Sequence, residues 1–426
     1  MRQNTIWLGL ILEHPRLGAV DRGLKFCARV VVNVRLLGAI VTALLVLANL
    51  SYLNLEQEFA RPRVVRGTPG VQILSLALSP TGKKMVTTNT AGQVALRTLD
   101  DGWQIERLLE FPGFAKAAAF SPDGESIAVV GYAPSICLWD LSRQSATAIA
   151  IPDRKATRVI FSPDGKSLAV ASQLDGSVFL CDLVTRRQRM VLHHPSPVAC
   201  IAFSPDGGWL ATAMRDDWSI LLWDLSTGSR HVLQKDGPGP VSSLAFSPDG
   251  ASLASARLGE TRVRLWDFRT REERRVFEGH ACSVNSVAFS PDGSLLATAA
   301  NDGTLGLWSV ATGRRRLSLN AVAICPRTVV FTPDGRTLVL ATNNDDDVRL
   351  WDIGELLRIA PRSAFLPENS DQFTTLLPPQ SPIPVNSFHG STDSSPPADS
   401  LGNCSAHFSA SEILTHESGH ERTPLW

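Results

Sequence analysis

The chain has 426 residues with 41 basic and 41 acidic side chains, so its formal charge is zero and its pI is near 7.1. A protein that grips a nucleic-acid backbone carries a basic excess, and the bulk composition excludes one. Hydrophobic residues make up 44%, enough for a sizeable core, and the length admits more than one domain.

Residues 1–35 form a basic N-terminal segment. Residues 36–55, "LLGAIVTALLVLANLSYLNL", are twenty residues without a charge. At about 1.5 Å per residue such a helix spans the hydrocarbon core, which predicts a single-pass transmembrane anchor. A secretory signal is shorter, nearer the start and ends in a small-residue cleavage site, none of which is found. Arg16, Arg22, Lys25, Arg29 and Arg35 precede the run, and Arg61, Arg63 and Arg66 follow it. The excess favours a cytoplasmic N-terminus, with the rest of the chain on the opposite side of the membrane.

From residue 61 to 359 the chain repeats. "FSPDG" occurs five times, ending at Gly124, Gly165, Gly207, Gly250 and Gly293, flanked by "LSPTG" at 78–82 and "FTPDG" at 331–335. The steps between copies are 42, 41, 42, 43, 43 and 42 residues. In 280–313 three short apolar runs, "SVNSVAF", "LLATAA" and "TLGLWSV", are separated by turn residues, and "RRRLSLN" supplies a fourth. Val287 and Phe289 alternate, and Ala288 between them is also apolar, as in a strand covered on both faces. Four short strands at this period predict propeller blades, and seven phrases predict seven of them. Within the phrase, Pro fits the first central position of a type I turn, Asp the next and Gly the one beyond.

Trp-Asp pairs stand at Trp139-Asp140, Trp223-Asp224, Trp266-Asp267 and Trp351-Asp352, with degenerate copies at Cys181-Asp182 and Trp308-Ser309. With these pairs the region resembles the WD40-repeat family. The resemblance implies an all-β, seven-bladed propeller in which each repeat supplies the outer strand of one blade and the inner three of the next. "RVVRG" at 63–67 would then complete the seventh blade. The resemblance also implies buried tetrads of His, Ser/Thr, Asp and Trp: His280, Thr298, Asp302 and Trp308 in the sixth unit, and His194, Thr212, Asp216 and Trp223 in the fourth. These are read as structural, because a tetrad buried between strands leaves no room for substrate. Val129, Val170 and Leu340 replace the strand Ser/Thr in units two, three and seven. The first unit lacks the Trp-Asp pair, so its blade is expected to be irregular.

Candidate contact residues are Arg215, Asp217 and Trp218 in "MRDDWSI", a turn one residue longer than its sixth-blade counterpart. Trp and Arg are favoured anchors at protein interfaces, and the plainer alternative is that Trp218 folds back onto the neighbouring blade. Asp345, Asp346 and Asp347 lack the spacing of a cation loop and read as a solvated turn. Arginine runs at 186–189, 269–275 and 314–316 begin the fourth strands, where charge discourages edge pairing. The scattered cysteines, without a C-x-x-C pair, read as buried free thiols.

Residues 360–426 form a Pro/Ser-rich tail expected to be disordered. Its "HESGH" at 416–420 matches H-E-x-x-H, but no scaffold surrounds it, and a chance match is the better reading. No catalytic, cofactor or metal residue is assigned. The expected function is a non-catalytic protein–protein interaction scaffold, tethered through residues 36–55 and presenting loops to other proteins. The alternative is a hydrolase or lyase with its site at the central channel. Neutral charge and extracytoplasmic placement weigh against nucleic acid as a partner.

Overall fold

The computed structural model describes residues 62–359, apart from loop positions 68–70, 100–101, 152–154, 173, 175, 236, 238, 321–325 and 343–346. These residues form 28 strands in seven four-stranded antiparallel sheets. Strand β1 (Arg63–Val65) precedes the first blade, which contains β2 (Ile73–Leu78), β3 (Lys84–Asn89), β4 (Val94–Thr98) and β5 (Gln104–Leu109). Blade 2 contains β6 (Phe114–Phe120), β7 (Ser126–Tyr132), β8 (Ser135–Asp140) and β9 (Ser145–Ala150). Blade 3 contains β10 (Ala156–Phe161), β11 (Ser167–Ser172), β12 (Ser177–Asp182) and β13 (Arg187–His193). Blade 4 contains β14 (Val198–Phe203), β15 (Trp209–Met214), β16 (Ile220–Asp224) and β17 (Arg230–Gln234). Blade 5 contains β18 (Val241–Phe246), β19 (Ser252–Arg257), β20 (Val263–Asp267) and β21 (Glu273–Phe277). Blade 6 contains β22 (Val284–Phe289), β23 (Leu295–Ala300), β24 (Thr304–Ser309) and β25 (Arg315–Asn320). Blade 7 contains β26 (Pro326–Phe331), β27 (Thr337–Thr342) and β28 (Val348–Asp352), and β1 supplies its fourth strand.

The pairing of β1 with β28 joins the start of the ring to its end, with Val64 opposite Arg349 and Val65 opposite Val348. A short helix, α1 (Ile353–Ile359), follows β28 and buries Ile353 and Leu356 against blade 7.

The second strand of each blade is apolar on both faces because both are covered: Leu168, Ala169, Val170 and Ala171 of β11 all have no exposed surface. Apolar clusters fill the space between neighbouring blades. The cluster of Leu305, Leu307, Val329 and Trp351 seals blades 6 and 7, and that of Val65, Ile73, Val339 and Leu350 seals blades 7 and 1. The core is thus distributed around the ring, one share at each blade interface.

The repeated phrase builds one turn seven times. The glycine amide donates to the carbonyl of the Ser or Thr three residues earlier at 2.8–2.9 Å, closing the type I turn. In the six copies that carry Asp, the Ser or Thr hydroxyl donates to its carboxylate at 2.5–2.6 Å. Each glycine has φ near +70°, and each faces the proline of the preceding copy. A Cβ on Gly124 would stand 3.3 Å from Pro80 Cδ, and one on Gly82 would stand 3.0 Å from Pro333 Cδ. The proline–glycine contacts therefore also run around the whole ring, including across its seam.

Blade 1 departs from the expectation of irregularity: it is a complete four-stranded sheet. Trp103, in the turn between β4 and β5, is 2% exposed and packs with Met85, Val339 and Val348, filling space that the missing Trp-Asp pair would leave. Arg97 stands where the family has tryptophan and donates to the Trp103 carbonyl at 3.2 Å. The cysteines also need a correction. Cys137, Cys181 and Cys200 are buried free thiols, but Cys282 is disulfide-bonded. A disulfide needs only two cysteines brought together by the fold, which spacing along the chain does not reveal.

Among the described residues no helix is long and apolar enough to cross a membrane. Residues 36–55, the tail with its "HESGH", Asp345 and Asp346 lie outside the described residues.

Candidate functional site

Blade 6 carries a continuous chain of polar side chains. Trp308 Nε1–H donates to Thr298 Oγ1 at 2.8 Å, and Thr298 Oγ1 meets His280 Nε2 at 2.6 Å. His280 Nδ1–H meets Asp302 Oδ2 at 3.1 Å. The Ala281 amide and Thr304 also donate to the Asp302 carboxylate. Burial alone would raise the Asp302 carboxyl, but the bonds from His280, Thr304 and Ala281 hold it far below the usual carboxylate range. The His280 and Asp302 side chains are 2% and 10% exposed, so no substrate reaches this pair.

Blade 4 builds the same chain from three of its four expected members. Trp223 Nε1–H lies 3.1 Å from both Thr212 Oγ1 and His194 Nε2, and Thr212 Oγ1 is 2.9 Å from His194 Nε2. Asp216 does not join. It is exposed, and His194 Nδ1–H instead faces the Gly176 carbonyl at 2.8 Å and the Leu192 carbonyl at 3.1 Å. The extra residue in the 215–218 turn carries Asp216 outward, and a carbonyl from blade 3 takes its place. Burial pushes the His194 imidazole below its ordinary value.

Elsewhere the strand-three tryptophans find other acceptors. Trp266 Nε1–H donates to Ser255 Oγ at 2.9 Å, and Trp139 Nε1–H to the Glu110 carbonyl at 3.1 Å. The aspartate after each tryptophan caps the turn that follows. Asp224 accepts from the Ser226 hydroxyl and amide, which pull its carboxyl down to about 2.

The face that holds these histidines also carries the turns between second and third strands. Arg215, Asp217 and Trp218 all project there and are exposed. Trp218 is 36% exposed, so most of its surface is covered, and it takes φ +58°. Its carbonyl accepts from Arg257 Nη1 at 2.9 Å, and Arg257 is fully buried in blade 5, with further bonds to the Gly239 carbonyl and Gln234 Oε1. Blade 5 thus clamps the backbone of the blade 4 turn at Trp218. The equivalent turns expose Tyr132 in blade 2, Leu174 in blade 3 and Leu258 in blade 5, at 40%, 60% and 40%. Single residues of this kind carry no motif; only their shared position in the repeat reveals them.

The innermost strands line the central channel. Near the Ser-Pro-Asp-Gly turns a cavity of about 440 Å³ is walled by Leu78, Phe120, Phe161, Val330 and Phe331. Toward the opposite end stand Lys116, Arg158 and Arg327, which sequence reasoning did not single out. Among the described residues no group of three His, Cys, Asp or Glu side chains is placed to hold a metal ion. Arginines on the outer strands and in the turn before one of them tie blades together: Arg275 donates to the Ala311 carbonyl, Arg315 to the Gly279 carbonyl, and Arg271, in the turn before β21, meets His231.

A closed ring of seven four-stranded sheets, each repeat offset by one strand from its blade, defines a seven-bladed β-propeller. Segments 186–224, 229–267 and 271–309 match the family model described as WD domain, G-beta repeat, and each begins in or just before an outer strand and ends with the third strand of the next blade. The chain is a WD40-repeat protein. No curated protein matches it.

Proposed function

We propose that this propeller is a protein-interaction scaffold held at a membrane by residues 36–55, with its partner on the face of the 215–218 turn. WD40 propellers are in general non-catalytic scaffolds. The observation that carries the reading is the run of exposed apolar side chains on that face at four successive blades: Tyr132, Leu174, Trp218 and Leu258. Large apolar groups held on rigid turns form contacts at low ordering cost, and Arg257 holds the backbone of the turn at Trp218 before any partner arrives. Arg215 and Asp217 flank the indole and supply polar complementarity at its rim. The uncharged length of 36–55 supports tethering, and the basic residues before it support an N-terminus in the cytoplasm with the propeller on the other side. A disulfide at Cys282 fits an oxidising compartment.

The test is co-purification from membranes of the full-length chain, of an Arg215→Ala/Trp218→Ala variant, and of an outer-strand control, Arg187→Ala. A partner retained by the control and lost by the double variant is expected. Identical partner sets in all three would sink the contact surface. Protease protection of sealed membranes reads the orientation, and a propeller cleaved from the cytoplasmic side would reverse it.

A further inference from the structure

The outer strands β5, β9, β13, β17, β21, β25 and β1 are sheet edges, each paired on one side only among the described residues. An open edge offers amides and carbonyls to any other strand, and proteins blunt it with charge, with a bulge or by keeping it short. Six of the seven outer strands are blunted. Each of β1, β5, β13, β17, β21 and β25 carries at least one arginine. Strand β1 is also only three residues long. The other five slip by one residue against the third strand of their blade, a bulge that bends the edge. The residue passed over is Glu106, Arg189, Leu233, Arg274 or Arg316, so bulge and charge mostly coincide.

Strand β9 has none of these devices. Its sequence, "SATAIA", runs six residues from Ser145 to Ala150 without a charge. It pairs with β8 through six consecutive residues, from Asp140 opposite Ser145 to Ser135 opposite Ala150, and none is passed over. Ile149 is buried in the cluster shared with blade 3 and fixes which face of the strand turns inward. Ala146, Ala148 and Ala150, on the other face, are exposed. The edge is therefore unbroken, uncharged and lined by small side chains, and another backbone can approach it closely.

We propose that β9 pairs with β9 of a second copy, antiparallel about a twofold axis, so that the two blades 2 join into one eight-stranded sheet. The chemistry of the edge argues for its own duplicate. A twofold contact sets one surface against the same surface, so like charges on it meet and repel. Each of the other outer strands would bring arginines of one copy beside those of the other, whereas β9 brings only Ser, Ala, Thr and Ile. Main-chain hydrogen bonds across the edge supply the attraction. The contact is small, which places it among weak associations in the micromolar range. It lies on the flank of blade 2 and does not rest on the contact surface proposed above.

The experiment is sedimentation velocity of the full-length chain in detergent, over a series of micromolar concentrations. The parent is expected to form dimers that dissociate on dilution. Ala148→Lys should weaken the association tenfold or more, because two lysines then face each other across the axis. Val232→Lys, an exposed position on the bulged strand β17, should dimerise like the parent. Melting followed by circular dichroism checks that each variant is folded, and Ala146→Lys replaces Ala148→Lys if that variant is not. A parent that stays monomeric overturns the pairing of copies, whether or not the edge takes a strand of another protein. Dimers held through residues 36–55 or another surface would not respond to the β9 substitutions, and that result, or an equal loss in Val232→Lys, overturns it too.

Discussion

His194 and His280 stand at equivalent places before blades 4 and 6, yet two carbonyls meet one and a carboxylate meets the other. The difference is readable by pH. Asp302 is depressed in the folded state, so its contribution is full above the unfolded value near 3.8 and is lost as pH falls through the folded value. Asp302→Asn should therefore remove part of the acid slope below pH 3.8, read by denaturant unfolding at several pH values. His194 is also depressed, by burial, so the unfolded chain takes up the proton first and stability falls as pH drops below 6.5. His194→Gln should flatten that slope while costing about 1–2 kcal/mol at neutral pH for the broken bonds. A slope unchanged in the variant would show that His194 is not the group responsible. Gly306 serves the same network from beneath: a Cβ there would lie 2.6 Å from Trp308 Nε1 and 2.7 Å from Thr298 Oγ1. Gly306→Ala is expected to cost about 2–3 kcal/mol, measured by thermal melting. The His, Thr and Trp positions were legible because spacing from the turn phrase fixes them. Asp216 was misread because one inserted residue swings a side chain out of a network, and sequence does not show which carbonyl then replaces it.

At the scale of strands, the ring closes through three residues of β1, one of which, Val65, is 5% exposed and packed with Ile73, Val348 and Leu350. Removing residues 61–67 uncovers the edge of β28 and loses the burial of Val65, worth about 1.5–3 kcal/mol by itself. The truncated chain should melt well below the parent, and equal melting temperatures would show that the seam contributes nothing. The role of this strand could be argued from the repeat frame, since an outer strand with no preceding blade must belong to the last. Blade 1 could not be argued that way. Its tryptophan has moved from the third strand to the turn after it, where Trp103 takes φ +66°, and a buried arginine occupies the vacated position. Motif matching looks for a residue at a place, whereas packing requires only that the volume be filled. Trp103→Ala should accordingly cost about 3–5 kcal/mol, as expected for a large core truncation.

At the scale of the molecule, each blade shares its apolar clusters with its two neighbours, and the first and last share one across the seam. An open array of repeats with nearest-neighbour interfaces can fray from its ends. Here β1 pairs with β28 and Pro333 packs on Gly82, so the described ring has no end from which to fray. Opening any one blade breaks two interfaces, and the cost of the first break is not shared with solvent already present at a terminus. Loss of structure should therefore be cooperative around the whole ring. The six buried tryptophans Trp103, Trp139, Trp223, Trp266, Trp308 and Trp351 lie in blades 1, 2, 4, 5, 6 and 7, so intrinsic fluorescence samples most of the circle while far-ultraviolet circular dichroism samples all strands. The two signals should report a single coincident transition with denaturant. In the chain lacking residues 61–67 the same signals should separate, because blade 7 then becomes an end that opens first. Coincidence in the truncated chain would mean that the interfaces alone, without closure, set the cooperativity; separation in the intact chain would mean that the ring is divided into independent arcs.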